Sequence, residues 1–371
     1  MMHRRTFLQL AAAAVSERKL PKYRVVSHYK AAAQPGMPGP YPGRVVSVYS
    51  GKCIDTGSEK PDPAAVRDMM AAGMRALTGD RDVRDAWARF ISPADVVGIK
   101  VNCSGAPGIM SSPAVVAEIV RNLIAAGLQP GAIWVYERFE DQMLTVRYDR
   151  YLPPGVHVWA AETRRGSASS YDPATYVETN FFDEEDTRSN MIRLVGDRFT
   201  KIINVPNMKD HGAAGVTGCL KNIAYGNFSN VARSHAGTLT NTYSFIGTLA
   251  AVEPLRSRTV LQVMDGLKGV WHGGPFAPTR RFRFYPKRML FGTDPVALDR
   301  LLLDIIDDKR KAEHAISVWE RSMKYVNPNG DHDHDPNVFA FVREPGHIQY
   351  AAHLGLGIYD LDRIKVTSLA V

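Results

Sequence analysis

Short β-branched and apolar runs alternate along this chain with longer segments whose apolar residues recur every three or four positions. Runs of the first kind suit strands buried on both faces, and the second spacing suits amphipathic helices. Residues 44–48 (RVVSV) predict a first strand, and residues 63–77 predict a helix that stops before Thr78 and Gly79. The clearest unit follows. Residues 95–101 (DVVGIKV) predict a strand, and Ser112 and Pro113 supply an N-cap and a proline at the first helical position. Val115, Val116, Ile119, Val120, Leu123 and Ile124 then make one apolar stripe, closed by Gly127. Residues 132–137 (AIWVYE) predict the next strand, giving strand, helix, strand in about 45 residues, the length of a parallel βαβ unit.

The same grammar returns further on. Residues 201–206 (KIINVP) predict a strand, a Gly-rich turn follows, and a helix is expected near 217–225. Residues 259–265 (TVLQVMD) predict another strand, and residues 288–292 (RMLFG) lead into a helix from Pro295 to about Ile306, N-capped by Asp294. Strands alternating with helices predict an α/β protein with a largely parallel sheet flanked by helices. Residues 138–198 are polar, acidic in FFDEEDTR and irregular in period, and are expected as an insertion or cap over one sheet edge.

Before this body, residues 31–43 (AAAQPGMPGPYPG) have a composition that resists helix and strand, so residues 21–43 are expected as a linker and 44–371 as one α/β body. Residues 3–15 (HRRTFLQLAAAAV) place a twin arginine ahead of a phenylalanine and a short Ala/Leu run. That pattern marks residues 1–20 as a twin-arginine leader, which would engage the twin-arginine export machinery and deliver the protein to the periplasm or another extracytoplasmic compartment. A frayed cytoplasmic N-terminus is the alternative.

Charge and composition narrow the partner. The formal charge is +8; residues 1–20 hold Arg4, Arg5, Arg18 and Lys19 against Glu17, so the rest carries +5. No basic stripe with interleaved aromatics is present, which argues against nucleic acid and leaves a small anionic ligand as the better fit. No run approaches the roughly 18 apolar residues of a membrane-spanning helix, so no stable membrane insertion is expected. The three cysteines, Cys53, Cys103 and Cys219, are far apart and form no C-x-x-C pair, so neither a disulfide framework nor a zinc ribbon is readable.

In an open α/β sheet, ligands bind beyond the carboxyl ends of the strands. The residues there are Lys100, Asn102 and Cys103 after one strand, Glu137 after the next, and Asp265 after a later one. PNMKDHGAAGVTGCLKN, residues 206–222, is the most informative stretch. Its glycines, including Gly215 and Gly218, free the backbone to approach a ligand, and the helix beginning at Thr217 offers unpaired N–H groups. Lys209, His211, Lys221 and Asn222 add charge and hydrogen-bonding capacity. The stretch is not a nucleotide-triphosphate loop, because Lys221 follows Gly218 by three positions instead of one.

Four blocks, VGIKVNCSG with SSPAVVAEIVRNLIAAG, then KIINVPNMKDHGAAGVTGCLKN, then DGLKGVWHGGP, then GTDPVALD, resemble in order the bacterial and archaeal family called domain of unknown function 362, over about residues 95–305. The family usually has Lys-Pro-Asn where this chain has Lys100-Val101-Asn102, and a small residue at Cys219. Some relatives carry a cysteine-rich, ferredoxin-like segment that this chain lacks. The resemblance implies the arrangement of the loops rather than a reaction, and it makes any role for Cys103 and Cys219 peculiar to this branch.

The leading expectation is an enzyme-like site that binds a small anion or cofactor. Lys100, Asn102, Gly215, Thr217, Gly218, Lys221 and Asn222 would bind, and His211, with Lys209 and Asp265, would carry acid/base chemistry. Lys209 and Lys221 read as anion binders, not imine-forming nucleophiles, since nothing in the sequence shows the desolvated setting that lowers a lysine pKa. The cofactor is open: Glu137, His211 and Asp265 would suit a divalent metal, while Cys103 and Cys219 would suit a soft metal or, less readily, an iron–sulfur cluster. A carrier of small anions or metal without turnover, and a purely structural role for the motif, are the other readings. His272 either lines the site or folds back with its glycine turn, and DHDHD, residues 331–335, reads as a solvated loop.

Overall fold

A computed structural model describes residues 20–33, 36–164, 166, 168–276 and 279–371. The expected leader falls outside these residues, apart from Leu20. The strands in chain order are β1 (Arg24–Val26), β2 (Arg44–Tyr49), β3 (Val97–Lys100), β4 (Ile133–Phe139), β5 (His157–Glu162), β6 (Tyr171–Glu178) and β7 (Arg188–Ile192). They continue as β8 (Lys201–Asn204), β9 (Asn207–His211), β10 (Gly215–Val216), β11 (Thr259–Val270), β12 (Arg283–Phe284), β13 (Arg288–Gly292) and β14 (Lys365–Ala370).

The main sheet runs β14-β2-β13-β11-β8-β3-β4-β5, with β9, β10 and β12 attached off that path. Along that path the pairings are parallel except where β13 meets β2 and β11, and off it β12 and β10 pair antiparallel with β11 and β9. The fold is thus the expected α/β class. The predicted βαβ unit is β3, helix Pro113–Ala125 and β4, and the two strands lie side by side in parallel register.

Alternation along the strands divides the interior into two apolar cores, one on each face of the sheet. Val45, Ile202, Met264 and Leu290 join one core, with Leu220, Phe245 and Leu298 from helices Gly218–Tyr225, Thr242–Ala250 and Pro295–Ala312. Their sequence neighbours Val46, Ile203, Val263 and Met289 join the other, with Met69 and Val116 from helices Pro63–Thr78 and Pro113–Ala125. No helix among the described residues is long and apolar enough to cross a membrane.

Three segments depart from the pattern reading. Residues 21–43, expected as a linker, supply β1, which pairs with β6, and Met37 is buried with its amide donating to the Arg256 carbonyl at 3.0 Å. Pro/Gly composition discouraged regular structure there, but docking satisfies the backbone instead. Residues 138–198 are not wholly an insertion: β5 completes the edge of the main sheet, while β6 and β7 form a separate three-stranded sheet with β1. β11 runs five residues past Asp265, to Val270; it passes from β8 to β9 between Gln262 and Asp265, and its register against β9 shifts between Asp265 and Gly269.

Candidate functional site

NMKDH, residues 207–211, is a strand and not a turn. β9 pairs in parallel with the far end of β11 and folds back antiparallel onto β10, with His211 opposite Gly215 and Asp210 opposite Val216. Gly215 has φ +79°, a left-handed conformation that glycine adopts without strain. All five β9 residues are buried, and their alternation sends Lys209 and Asp210 to different neighbours. Asp210 accepts from the Gly274 amide at 2.7 Å and pairs with the buried Arg343 at 3.4 Å.

Lys209 reaches the end of β3. Its ammonium donates to Asn102 Oδ1 and the Ser104 carbonyl at 2.6 Å each, and to the Pro275 carbonyl at 3.2 Å. Three acceptors match the three protons of an ammonium. Asn102 in turn donates to Asn222 Oδ1 at 2.9 Å, Asn222 to Asn204 Oδ1 at 2.7 Å, and Asn204 to Gln262 Oε1 at 2.7 Å. A buried row of amides therefore ties β3, the helix Gly218–Tyr225, β8 and β11 to Lys209. Beside it, Lys100 pairs with Glu137 at 2.8 Å, and Glu137 also accepts from the amides of Cys103 at 3.1 Å and Arg138 at 2.7 Å.

Lys221 is different. It is 9% exposed, lies 4.5 Å from the centre of the Tyr225 ring, and has no hydrogen-bond or carboxylate partner among the described residues. Burial pushes Lys221 and Lys209 down to about 7, and the Lys209 and Arg138 charges add to the effect on Lys221. His211 is held well below the usual histidine range by burial and then by Lys221. Its Nδ1 accepts from the Ala213 and Ala214 amides at 3.2 Å each, so the proton of the neutral ring sits on Nε2. The His235 ring stands 5.2 Å from His211 and 5.6 Å from Tyr225, and burial drops it to about 3.

The structure thus brings together Lys100, Asn102, Glu137, Lys209, His211, Lys221 and Asn222. Gly215 lies opposite His211 and the Thr217 amide donates to the Lys209 carbonyl at 3.0 Å, whereas Asp265 lies elsewhere. The helix N-terminus at Thr217 and Gly218 is already filled: Asp299 accepts from the Cys219 amide at 2.5 Å and the Leu220 amide at 2.9 Å. An anion cradle expected there is occupied by the protein's own carboxylate, which burial raises to about 7. Thr217 provides no side-chain cap. Asp265 accepts from the amides of Ser112 at 2.7 Å and Leu267 at 3.1 Å, and lines a separate cavity of about 380 Å³ with Ile54 and Val146.

The metal sets expected from sequence do not form. Among the described residues no three His, Cys, Asp or Glu side chains gather as a metal centre. Glu137, His211 and Asp265 are each committed to backbone amides in different places. Cys103 belongs to one apolar core and Cys219 to the other, across the sheet, and burial holds both thiols well above the usual range. Asp294 is the helix cap that its sequence predicts, accepting from the Ala297 amide at 2.9 Å, and residues 331–335 form a largely exposed loop.

Sequence reasoning missed Asp299, His235 and the pair Arg138–Glu162. Asp299 carried a signal: it falls on the apolar stripe of Leu302, Leu303 and Ile306, where a carboxylate needs buried donors. Arg138 and Glu162 pair at 2.6 Å, and Tyr171 donates to Glu162 at 2.7 Å on the wall of a polar cavity of about 520 Å³. Nothing in the sequence spacing joins these residues.

The family model for a domain of unknown function (DUF362) matches residues 97–304, more than half of the chain, and the protein belongs to that family. The matched span starts with β3 and ends in the helix Pro295–Ala312, so it contains every residue gathered at the site. No curated protein matches the chain.

Proposed function

We propose that this member of the family binds a small anion at Lys221 and His211 and transfers a proton to or from it. One observation carries the reading: two buried lysines, Lys209 and Lys221, face each other's field without a carboxylate partner. Glu137, the nearest acid on the sheet edge, is already neutralised by Lys100 at 2.8 Å. Burying unpaired positive charge is costly, and a bound anion offsets that cost. Lys209 is locked by its three acceptors, so it supplies a fixed field. Lys221 and the Nε2–H of His211 are the groups left to touch a ligand.

Thermal denaturation across sulfate, phosphate, acetate and pyruvate tests this reading. At least one anion should raise the midpoint of the parent, and Lys221→Ala should lose the rise. A flat panel in both proteins contradicts it.

We also propose that residues 1–20 direct export by the twin-arginine route. Arg4→Lys combined with Arg5→Lys should hold the protein in the cytoplasm, and an unchanged distribution on cell fractionation removes the proposal.

A further inference from the structure

We propose that Lys221 is an amine nucleophile that forms an imine with the carbonyl carbon of a small anion bearing a ketone or aldehyde, such as a 2-oxo acid. The inference rests on the anion site above and names its substrate class. Sequence spacing gave no reason to assign a nucleophile, because reactivity depends on desolvation and on neighbouring charge. The fold supplies both.

The two lysines are not equivalent. Lys209 uses all three ammonium protons on Asn102, Ser104 and Pro275, and a neutral amine has only two protons to donate. Lys221 has no acceptor to hold its third proton, and the groups around it are Lys209, Arg138, His211, His235, His347 and Tyr225. None of these is a carboxylate. Of two coupled buried lysines, the proton therefore stays on Lys209 and leaves Lys221. The amine nitrogen stands 4.5 Å from the centre of the Tyr225 ring, whose hydroxyl is engaged by Ser234 at 2.6 Å. Lys221 keeps 9% of its surface exposed, and a small reactant would enter through that opening.

The step balances without an external oxidant or reductant. The Nζ lone pair attacks the carbonyl carbon, and the carbonyl π electrons move to oxygen, which takes a proton. That proton and the one that turns the hydroxyl into leaving water both come from the attacking nitrogen, and the C=N bond forms as water departs. The neutral His211 ring keeps its Nε2 proton and donates it as a hydrogen bond to the carbonyl oxygen, which polarises the carbonyl for attack. Lys209 holds the substrate's anionic group through its field without competing as a nucleophile.

The test uses the full chain with pyruvate and sodium cyanoborohydride, followed by peptide mass mapping. A reduced adduct on Lys221, formed ahead of the exposed lysines and absent from Lys221→Arg, is the expected result. Adducts spread over surface lysines, with Lys221 spared, overturn the proposal. Competitive labelling of the parent with acetic anhydride gives a second measure that needs no variant. The Lys221 peptide should titrate near 7, and a midpoint above about 9, the ordinary lysine range, also overturns it. If anions stabilise the parent through Lys221 but no imine is trapped, the binding site stands and the nucleophile falls. If the imine is trapped but no anion stabilises the protein, the anion reading falls instead.

Discussion

Lys209 donates to Asn102 Oδ1 across 2.6 Å, and this bond joins a buried charge on β9 to the row of amides that spans the sheet edge. Replacing Lys209 by methionine keeps the stem's packing but leaves one buried and two half-buried acceptors without their donor. The expected loss is about 2–4 kcal/mol of stability, because an unsatisfied buried partner costs its full desolvation. Chemical denaturation of Lys209→Met measures it. The same substitution removes a positive charge beside Lys221, so the Lys221 amine should titrate higher than in the parent.

Stability should depend on pH through Lys221 with a defined sign. Its folded value is about 7, below the ordinary 10.5, so between these values the unfolded chain binds more protons than the folded one. Stability from this group therefore rises with pH across that window, and below it the whole cost of a buried charge is present. Lys221→Met lacks the group. It should be more stable than the parent near about pH 6, by roughly 1–4 kcal/mol, with the gap closing toward about pH 10. Urea midpoints at several pH values check this, and a gap that widens with pH reverses the assignment.

The sheet, the βαβ unit and the sequence blocks around Lys209 and Lys221 were legible because each rests on local signals: the Ser112-Pro113 start, the stripe from Val115 to Ile124, the apolar KIINVP run. β9 was not legible, because NMKDH is polar and is buried only through partners far along the chain, namely Asn102, Arg343 and the backbone of β11. The Gly218 helix start read as an open anion cradle for a similar reason. Asp299, which fills it, lies 80 residues from Cys219, and no local pattern couples them. The apolar pattern ends a strand at Asp265, yet β11 continues through it and its carboxylate lines a different cavity.

Asp299→Ala should open that helix start. Two amide donors lose their acceptor, which costs about 2–3 kcal/mol, and the N–H groups at Cys219 and Leu220 become available to an external anion. Phosphate should therefore restore stability to Asp299→Ala more than it adds to the parent. Gly218→Ala should also destabilise, since φ is +55° and a Cβ there would clash with the Asp299 carboxylate. The combined loss should be less than additive, because the clash disappears with the carboxylate. Thermal denaturation of the single and double variants, with and without phosphate, reads all of these outcomes.

Isothermal titration calorimetry of sulfate, which does not itself titrate near neutrality, tests the anion site most directly when run at about pH 7 in buffers of different ionisation enthalpy. An anion beside a half-protonated Lys221 raises its proton affinity, so binding must draw in up to about half a proton. The account predicts sulfate binding with that uptake in the parent, and loss of both the uptake and most of the affinity in Lys221→Met. Absence of binding, or binding whose affinity and proton uptake are the same in Lys221→Met as in the parent, would contradict it.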